Sequence, residues 1–399
     1  MDYSSYADVE LKIEWQSDHV THCERHYFQG INFWRDYFPG RIGDRLISSP
    51  DGEWVTENIH ASEIVPAYSA SGIMQLDNRK IRPTNSEGAR ANLRKGRFYP
   101  RSIIAGTAGV TAEEILPLRV VSVDEDCFTV DLNHPLARHT LAISLRVVGE
   151  RYTGKEERGG RCRDIVYELL MNGPGLQSAP PDAIDFHYDE NFYRIDDRDD
   201  ALLYQQANFE DTFDRASASE LSALYSNYLQ NDYRVLDMMC GAQSYLPLNI
   251  DVHATGIGLN LDELQANTQL ENYVVQNVNS DKDLPFGDNQ FDVVVFTAAV
   301  EYLVDPVTSF NELSRITRPG GHIIVTFTDH WVASKSIRLW TELYPFERMG
   351  LVIDYFNRAA GLNPLHTETI QGLLRPEDDR DVDRKLYADP VFAVVAEAC

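Results

Sequence analysis

Four apolar runs in this chain end in polar or small side chains that could grip a ligand. Val235-Leu-Asp-Met-Met-Cys-Gly241 closes on Asp237 and turns at Cys240 and Gly241; Ala254-Thr-Gly-Ile-Gly-Leu-Asn260 closes on Asn260. Val274-Val-Gln-Asn-Val-Asn279 carries Asn277 and Val278, and Phe291-Asp-Val-Val-Val-Phe296 leads into Thr297. An apolar strand ending in an acid and a small-residue turn is how folds that bind nucleoside cofactors begin. In open α/β sheets the ligand sits outside the carboxyl ends of the strands, where the strand order reverses. Two side chains farther on could take a proton from an acceptor: Glu301, after the fourth run, and His330, after Arg318-Pro-Gly-Gly-His-Ile-Ile-Val-Thr-Phe327.

In order and spacing these segments resemble the class I methyltransferases that use S-adenosylmethionine (SAM). The resemblance implies a C-terminal α/β, Rossmann-like domain with SAM as cofactor. The turn after Asp237 would meet the methionine end, Asn260 the ribose, and Asn277 with Val278 the adenine. Common members carry three glycines in the first loop; here Gly241 remains, and Met239 and Gln243 hold the other two places, so a different backbone path is expected. The acid expected after the second strand is missing, since Gly258 stands there with Asn260 two residues later, and Asn277 replaces the acid at the adenine position; the amides hydrogen-bond without charge assistance. Ser244-Tyr-Leu-Pro247 and Gly256-Ile-Gly-Leu-Asn260 are similar to a subgroup of plants, cyanobacteria and proteobacteria. Tyr204 and Phe209, in the apolar segment before the first strand, are lid candidates, with Tyr204 over the cofactor.

The 399 residues are too many for one ordinary core. A net charge of -26 repels phosphate backbones and anionic lipid, so neither nucleic acid nor membrane is an expected partner. No signal segment opens the chain and no run of eighteen apolar residues occurs, which gives a cytoplasmic expectation. The five cysteines lack Cys-x-x-Cys spacing and read as reduced thiols. His19, His22, Cys23 and His26 could share one face if helical, but without a cysteine pair no metal is expected.

The N-terminal half alternates as short strands do: Val9 to Trp15, Leu118 to Val123, Cys127 to Asp131 and Leu141 to Val148. Val130-Asp-Leu-Asn-His-Pro-Leu-Ala137 resembles the Asn-His-Pro-Leu-Ala loop of SlyD-type FKBP prolyl isomerases and chaperones. The resemblance implies an α+β, mostly antiparallel fold, an inserted segment around Gly96-Arg-Phe-Tyr-Pro100, and a cleft for proline-containing peptide near Trp15, Glu24, Tyr68 and Ile143. Three of those four depart from the usual residues, so peptide binding with weak or absent turnover is expected.

The expected organisation is therefore multidomain: 1–155 FKBP-like, 156–210 connector and lid, 211–399 methyltransferase. Met171 to Gln177 and Ser178 to Asp182 mark the break. Ser217-Ala-Ser-Glu220 reads as a capping box, Lys335 to Gly350 as an apolar helical stripe near the acceptor, and Val391 to Ala396 as the last strand. The acceptor is a small molecule or a protein. The alternative is a peptidyl-prolyl isomerase or chaperone whose second domain senses SAM or is structural.

Overall fold

The computed structural model describes residues 5–17, 20–82, 92–153, 161–171, 173, 184–188 and 190–399. The chain forms two compact units: one of 1–18, 28–188 and 343–350, the other of 19–27, 189–342 and 351–399.

In the first unit the alternating apolar residues do become strands. β1 (Ser5–Gln16), the end of β2 (Thr21–Asn32), whose residues up to Tyr27 belong to the second unit, β3 (Asp36–Tyr37) and β4 (Val55–His60) precede an insert of β5 (Ile73–Asp77), β6 (Phe98–Pro100), β7 (Pro117–Val123) and β8 (Cys127–Asp131); β9 (Thr140–Thr153) and β10 (Arg163–Asp164) follow. β9 pairs antiparallel with β1 on one side and β4 on the other, placing Leu11 and Val55 opposite Leu145. The inward residues of these strands pack against Ile42 and Leu46 of α1 (Ile42–Ser48) and Ile165, Val166 and Leu170 of α2 (Ile165–Leu170). The insert is a separate four-stranded sheet, β5-β8-β7-β6. Its own core is built on Ile104, Val120, Phe128 and Val130.

The second unit is a doubly wound sheet. β11 (Arg234–Met238), β12 (His253–Gly258), β13 (Asn272–Val275), β14 (Phe291–Thr297), β15 (Thr317–Phe327), β16 (Leu362–Gln371) and β17 (Val391–Ala398) run in the order β13-β12-β11-β14-β15-β17-β16. β11 to β15 are parallel and β17 is antiparallel to both its neighbours. Val293 to Phe296 are fully buried, as a parallel strand covered on both faces requires. The helices of this unit include α3 (Asp200–Leu203), α4 (Arg215–Ser226), α5 (Leu261–Ala266), α6 (Pro306–Ile316), α7 (Arg338–Glu342) and the later part of α8 (Pro345–Arg358).

Several expectations are corrected. The units do not part at 155 and 210, because β2 residues Thr21 to His26 pair in parallel with His366 to Gln371 of β16. The His-Cys run is strand, not helix: His22 and His26 share one strand face and Cys23 the other, while His19 lies outside the described residues. Most of the 171–183 break also lies outside them. Helix α4 starts at Arg215, not at Ser217; Asp214 caps it by accepting from the N–H groups of Ala216 and Ser217, while Glu220 pairs with Arg25. The stripe from Lys335 breaks into two helices at Leu343 and Tyr344, with Pro345 opening the second, where a proline is preorganised. Its residues 343–350 belong to the first unit, where Glu347 makes a buried ion pair with Arg97 at 2.9 Å and Phe346 packs edge-on against Phe98.

Candidate functional site

At the carboxyl ends of β11, β12 and β14, where the strand order reverses, the second unit holds a cavity of about 450 Å³. Asp237, Cys240, Gly241, Asn260, Asn277, Val278, Thr297 and Tyr204 all line it, as do Glu301 and His330. Residues separated by more than a hundred positions thus meet because each ends a parallel strand or borders one that does.

Asp237 is fully buried, and its Oδ2 has no hydrogen-bond partner among the described residues. Burial pushes its carboxyl up to about 8; a hydrogen bond from Ser244 offsets only part of that. The backbone then turns at Met239, which takes φ +54° although it is not glycine. The lost glycine is therefore replaced in conformation as well as in sequence, at a strain of order 1–3 kcal/mol. Tyr245 and Ala298, both on the cavity wall, are also left-handed. Farther along, Gly258 admits no side chain, since a Cβ there would lie 2.2 Å from the Cys240 carbonyl oxygen. That close approach explains glycine where an acid was expected, and burial raises the Cys240 thiol well above its ordinary range.

Other predicted residues are committed to holding structure. Thr297 Oγ1 bonds the buried Tyr225 hydroxyl at 2.6 Å. Asn260 caps α5 through Oδ1, and its Nδ2 donates to the Tyr204 carbonyl at 2.7 Å. Asn277 Nδ2 donates to Asp199 Oδ1 at 2.9 Å, and Asn279 Nδ2 to Asp200 Oδ2 at 3.0 Å. Asp200 also pairs with Arg194 at 2.8 Å and with the buried Lys335 at 3.3 Å. The segment from Arg194 to Tyr204 is thereby laced to the strand ends and to the loop after β15. The Tyr204 hydroxyl, pushed up to about 12 by burial and then by Asp200, Glu301 and Glu263, stays protonated. Phe209, the other lid candidate, is 58% exposed and does not line the cavity.

The two proton-transfer candidates differ. Glu301 is 2% exposed on a short 3-10 turn at the cavity wall, not a solvated carboxylate. His330 Nε2 donates to the Thr212 carbonyl at 3.0 Å, and Nδ1 lies 3.5 Å from Asp329 and 3.9 Å from Asp389. Asp329 raises its pKa, which favours the imidazolium.

Residues that line the cavity but were not anticipated include Asp200, Glu263 and Lys335. Asp200 sits in an acidic run that looks like linker, and Lys335 begins a stripe that looks like helix. Only Glu263 carried a signal, the Asn-x-x-Glu spacing of a helix start.

Of the four peptide-cleft residues, three meet in the first unit. Trp15 and Ile143 lie in the core of the first unit, Tyr68 packs at its edge with the Arg138 guanidinium 3.5 Å from its ring centre, and Glu24 belongs to the other unit, opposite Thr369.

The model of one protein family, described as a methyltransferase domain, matches residues 236–325, the stretch that supplies most of this cavity. The second unit thus carries a match to a methyltransferase domain. Among curated proteins the chain is similar to the demethylmenaquinone methyltransferase of Paenarthrobacter aurescens (strain TC1), 27% identical over 115 residues, covering 28% of this chain and 43% of that enzyme. It is also similar to the enzyme of the same description from Mycobacterium sp. (strain KMS), 43% identical over 42 residues, 10% of this chain and 18% of that one. The chain spans less than half the length of these relatives. Among solved structures, a SAM-dependent methyltransferase from Aquifex aeolicus aligns at a TM-score of 0.31 and 16% identity, over 47% of this chain and 100% of that one. The geranyl diphosphate C-methyltransferase of Streptomyces coelicolor A3(2) aligns at 0.31 and 12%, over 46% and 80%. The buried Asp237 carboxyl, which makes no ion pair among the described residues, faces this cavity.

Proposed function

We propose that this protein transfers the methyl group of SAM to a small-molecule acceptor bound in the cavity of the second unit, in the cytoplasm. One observation carries the reading: all eight residues expected to hold the cofactor line one cavity with both proton-transfer candidates. SAM supplies an activated methyl group on a sulfonium. The protein's part is to align, to exclude water and, for an acidic acceptor, to take a proton; positioning alone is worth ~7–11 kcal/mol. Asp237 pairs with the cofactor's ammonium. Tyr204 and the segment laced by Asp199 and Asp200 close the cavity. Glu301 is the base, since its buried carboxylate can accept a proton whereas His330 is committed to Thr212. Incubating the full chain with SAM labelled in the methyl group and a cell extract tests this. Label in an organic-extractable product is expected. Label on protein would move the acceptor class to a polypeptide, and a chain that binds SAM yet labels nothing would be a sensor.

The first unit is proposed as an FKBP-like, SlyD-type module that binds peptide without isomerase turnover. The nested insert between β4 and β9 supports it, as does the 133–137 loop, where His134 accepts from the Leu136 N–H and bonds the Leu170 carbonyl at 2.9 Å. Trp15, Glu24 and Ile143, which depart from the usual cleft residues, argue against turnover. A proline-peptide assay on the full chain should give no rate above the uncatalysed one; turnover typical of a SlyD-type enzyme would contradict this.

A further inference from the structure

The cavity wall carries the carboxyl groups of Asp200, Glu210, Asp211, Asp237, Glu263 and Glu301 against the fixed cations of Lys335 and Arg380 alone. Both cations are already matched: Lys335 Nζ lies 3.3 Å from Asp200 and 3.6 Å from Asp196, and Arg380 lies 2.9 Å from Glu210. His330 is held beside Asp329 at 3.5 Å. Asp211, Asp237 and Glu263 make no ion pair among the described residues. Bound SAM engages Asp237, but its own carboxylate offsets one of its two cationic groups, so most of the negative excess stays. Such a wall repels an anionic acceptor and draws a cation.

Aromatic residues line the same space: Tyr204, Tyr245, Tyr302 and Trp331. Backbone donors fix two of them, because the Tyr302 hydroxyl accepts from the Val332 N–H at 2.9 Å and the Tyr245 hydroxyl from the Thr212 N–H at 3.0 Å. Burial raises all three phenols, so these rings stay neutral and keep their electron-rich faces. The Glu301 carboxyl stands close to two of them, since its charge acts on the hydroxyls of both Tyr204 and Tyr302. Rings beside carboxylates suit an ammonium group, whose attraction to an aromatic face strengthens as water is excluded.

Resting on the methyl-transfer reading above, we infer that the acceptor is an amine, which enters as its ammonium cation past the exposed Asp211 and is held among the Tyr204, Tyr245, Tyr302 and Trp331 side chains with Glu301 at the buried end. An alkylammonium has a pKa of about 10.4, so at neutral pH its nitrogen lone pair is tied up by a proton. Glu301 takes that proton. The freed lone pair attacks the methyl carbon as the carbon–sulfur bond breaks and its electron pair goes to sulfur. The products are S-adenosylhomocysteine and a methylated ammonium of unchanged charge, and Glu301 passes its proton to water.

The full chain incubated with a small-molecule cell extract and equal parts of ordinary and methyl-deuterated SAM tests the inference. Each methylated product then appears in the mass spectrum as a doublet, and capillary electrophoresis at neutral pH reads its charge. The expected product migrates as a cation. With that product's parent amine, Asp211→Asn should raise KM roughly threefold to fivefold, the size of an exposed charge interaction, with kcat and S-adenosylhomocysteine affinity kept. The wild-type arm needs no variant. A neutral or anionic doublet, or an Asp211→Asn variant with unchanged KM, overturns the amine assignment while methyl transfer stands. If no small molecule is methylated, both readings fail.

Discussion

The Asp237 carboxyl makes no ion pair among the described residues, and burial holds its pKa at about 8 against an ordinary 3.8. Because the folded value is the higher one, the native state keeps a proton that the unfolded chain releases. The stability this contributes is complete below the unfolded value and is lost as pH rises through about 8. A cationic ligand group reverses the balance by favouring the ionised form. SAM binding should therefore release a proton at neutral pH, and affinity should rise between pH 6 and 8 by up to ~tenfold per unit. Calorimetry in buffers of different ionisation enthalpy reads the proton directly. Asp237→Asn should stabilise the protein at pH 8 by ~1 kcal/mol or more, seen as a higher melting temperature, while weakening SAM binding at least tenfold. A variant that melts no later and binds as well would show that Asp237 does not face the cofactor. The strand-end position of this acid is visible in an apolar run closed by Asp and a small-residue turn. Its charge state is not, because burial by residues distant in sequence causes the shift. Met239 is a similar case: glycine's absence suggests a new backbone path, but tertiary packing imposes the left-handed φ anyway.

The proposed lid segment and the strand ends are joined by hydrogen bonds, although they lie more than fifty residues apart in sequence. Asn260, Asn277 and Asn279 are donors to the Tyr204 carbonyl and to the carboxylates of Asp199 and Asp200. A carboxylate at 277 would instead face Asp199 with like charge. Asn277 and Asn279 are thus complementary to the acidic 199–200 segment. Tyr204→Ala should weaken SAM binding several-fold with little change in melting temperature, since the tether runs through the residue's backbone carbonyl. An early melt with unchanged affinity would make the side chain structural. Strand periods and the glycine-poor turn locate the cofactor side of this site; the lid contacts are illegible in the sequence because Asp196-Asp-Arg-Asp-Asp200 reads as solvated linker until Arg194 and Lys335 fold against it. The expected helix over Lys335 to Gly350 fails for a related reason. Apolar spacing reports burial, not continuity, and Pro345 starts a second helix.

For the whole molecule, the two-part organisation is readable from length and from the change in periodicity, but its boundaries are not. Strand pairing between Thr21–His26 and β16 is a long-range contact that composition cannot signal. A fragment beginning at residue 189 would leave that edge of β16 unpaired, with main-chain N–H and C=O groups open to other chains. It should melt earlier than the full chain and aggregate on concentration; an equally stable, monodisperse fragment would show that β2 is dispensable. The net charge of -26 acts at this same scale, and no helix among the described residues is long and apolar enough to cross a membrane. The central claim, that the cavity at the ends of β11, β12 and β14 holds SAM, is tested most directly by titrating S-adenosylhomocysteine into the full chain and into Gly241→Val. A side chain at 241 would meet Glu263 Oε2 at 2.9 Å and intrude where the backbone must approach the cofactor. Saturable one-to-one binding to the wild type, abolished in the variant while its melt stays cooperative, is the predicted result; wild-type affinity in Gly241→Val, or no binding to either protein, would contradict it.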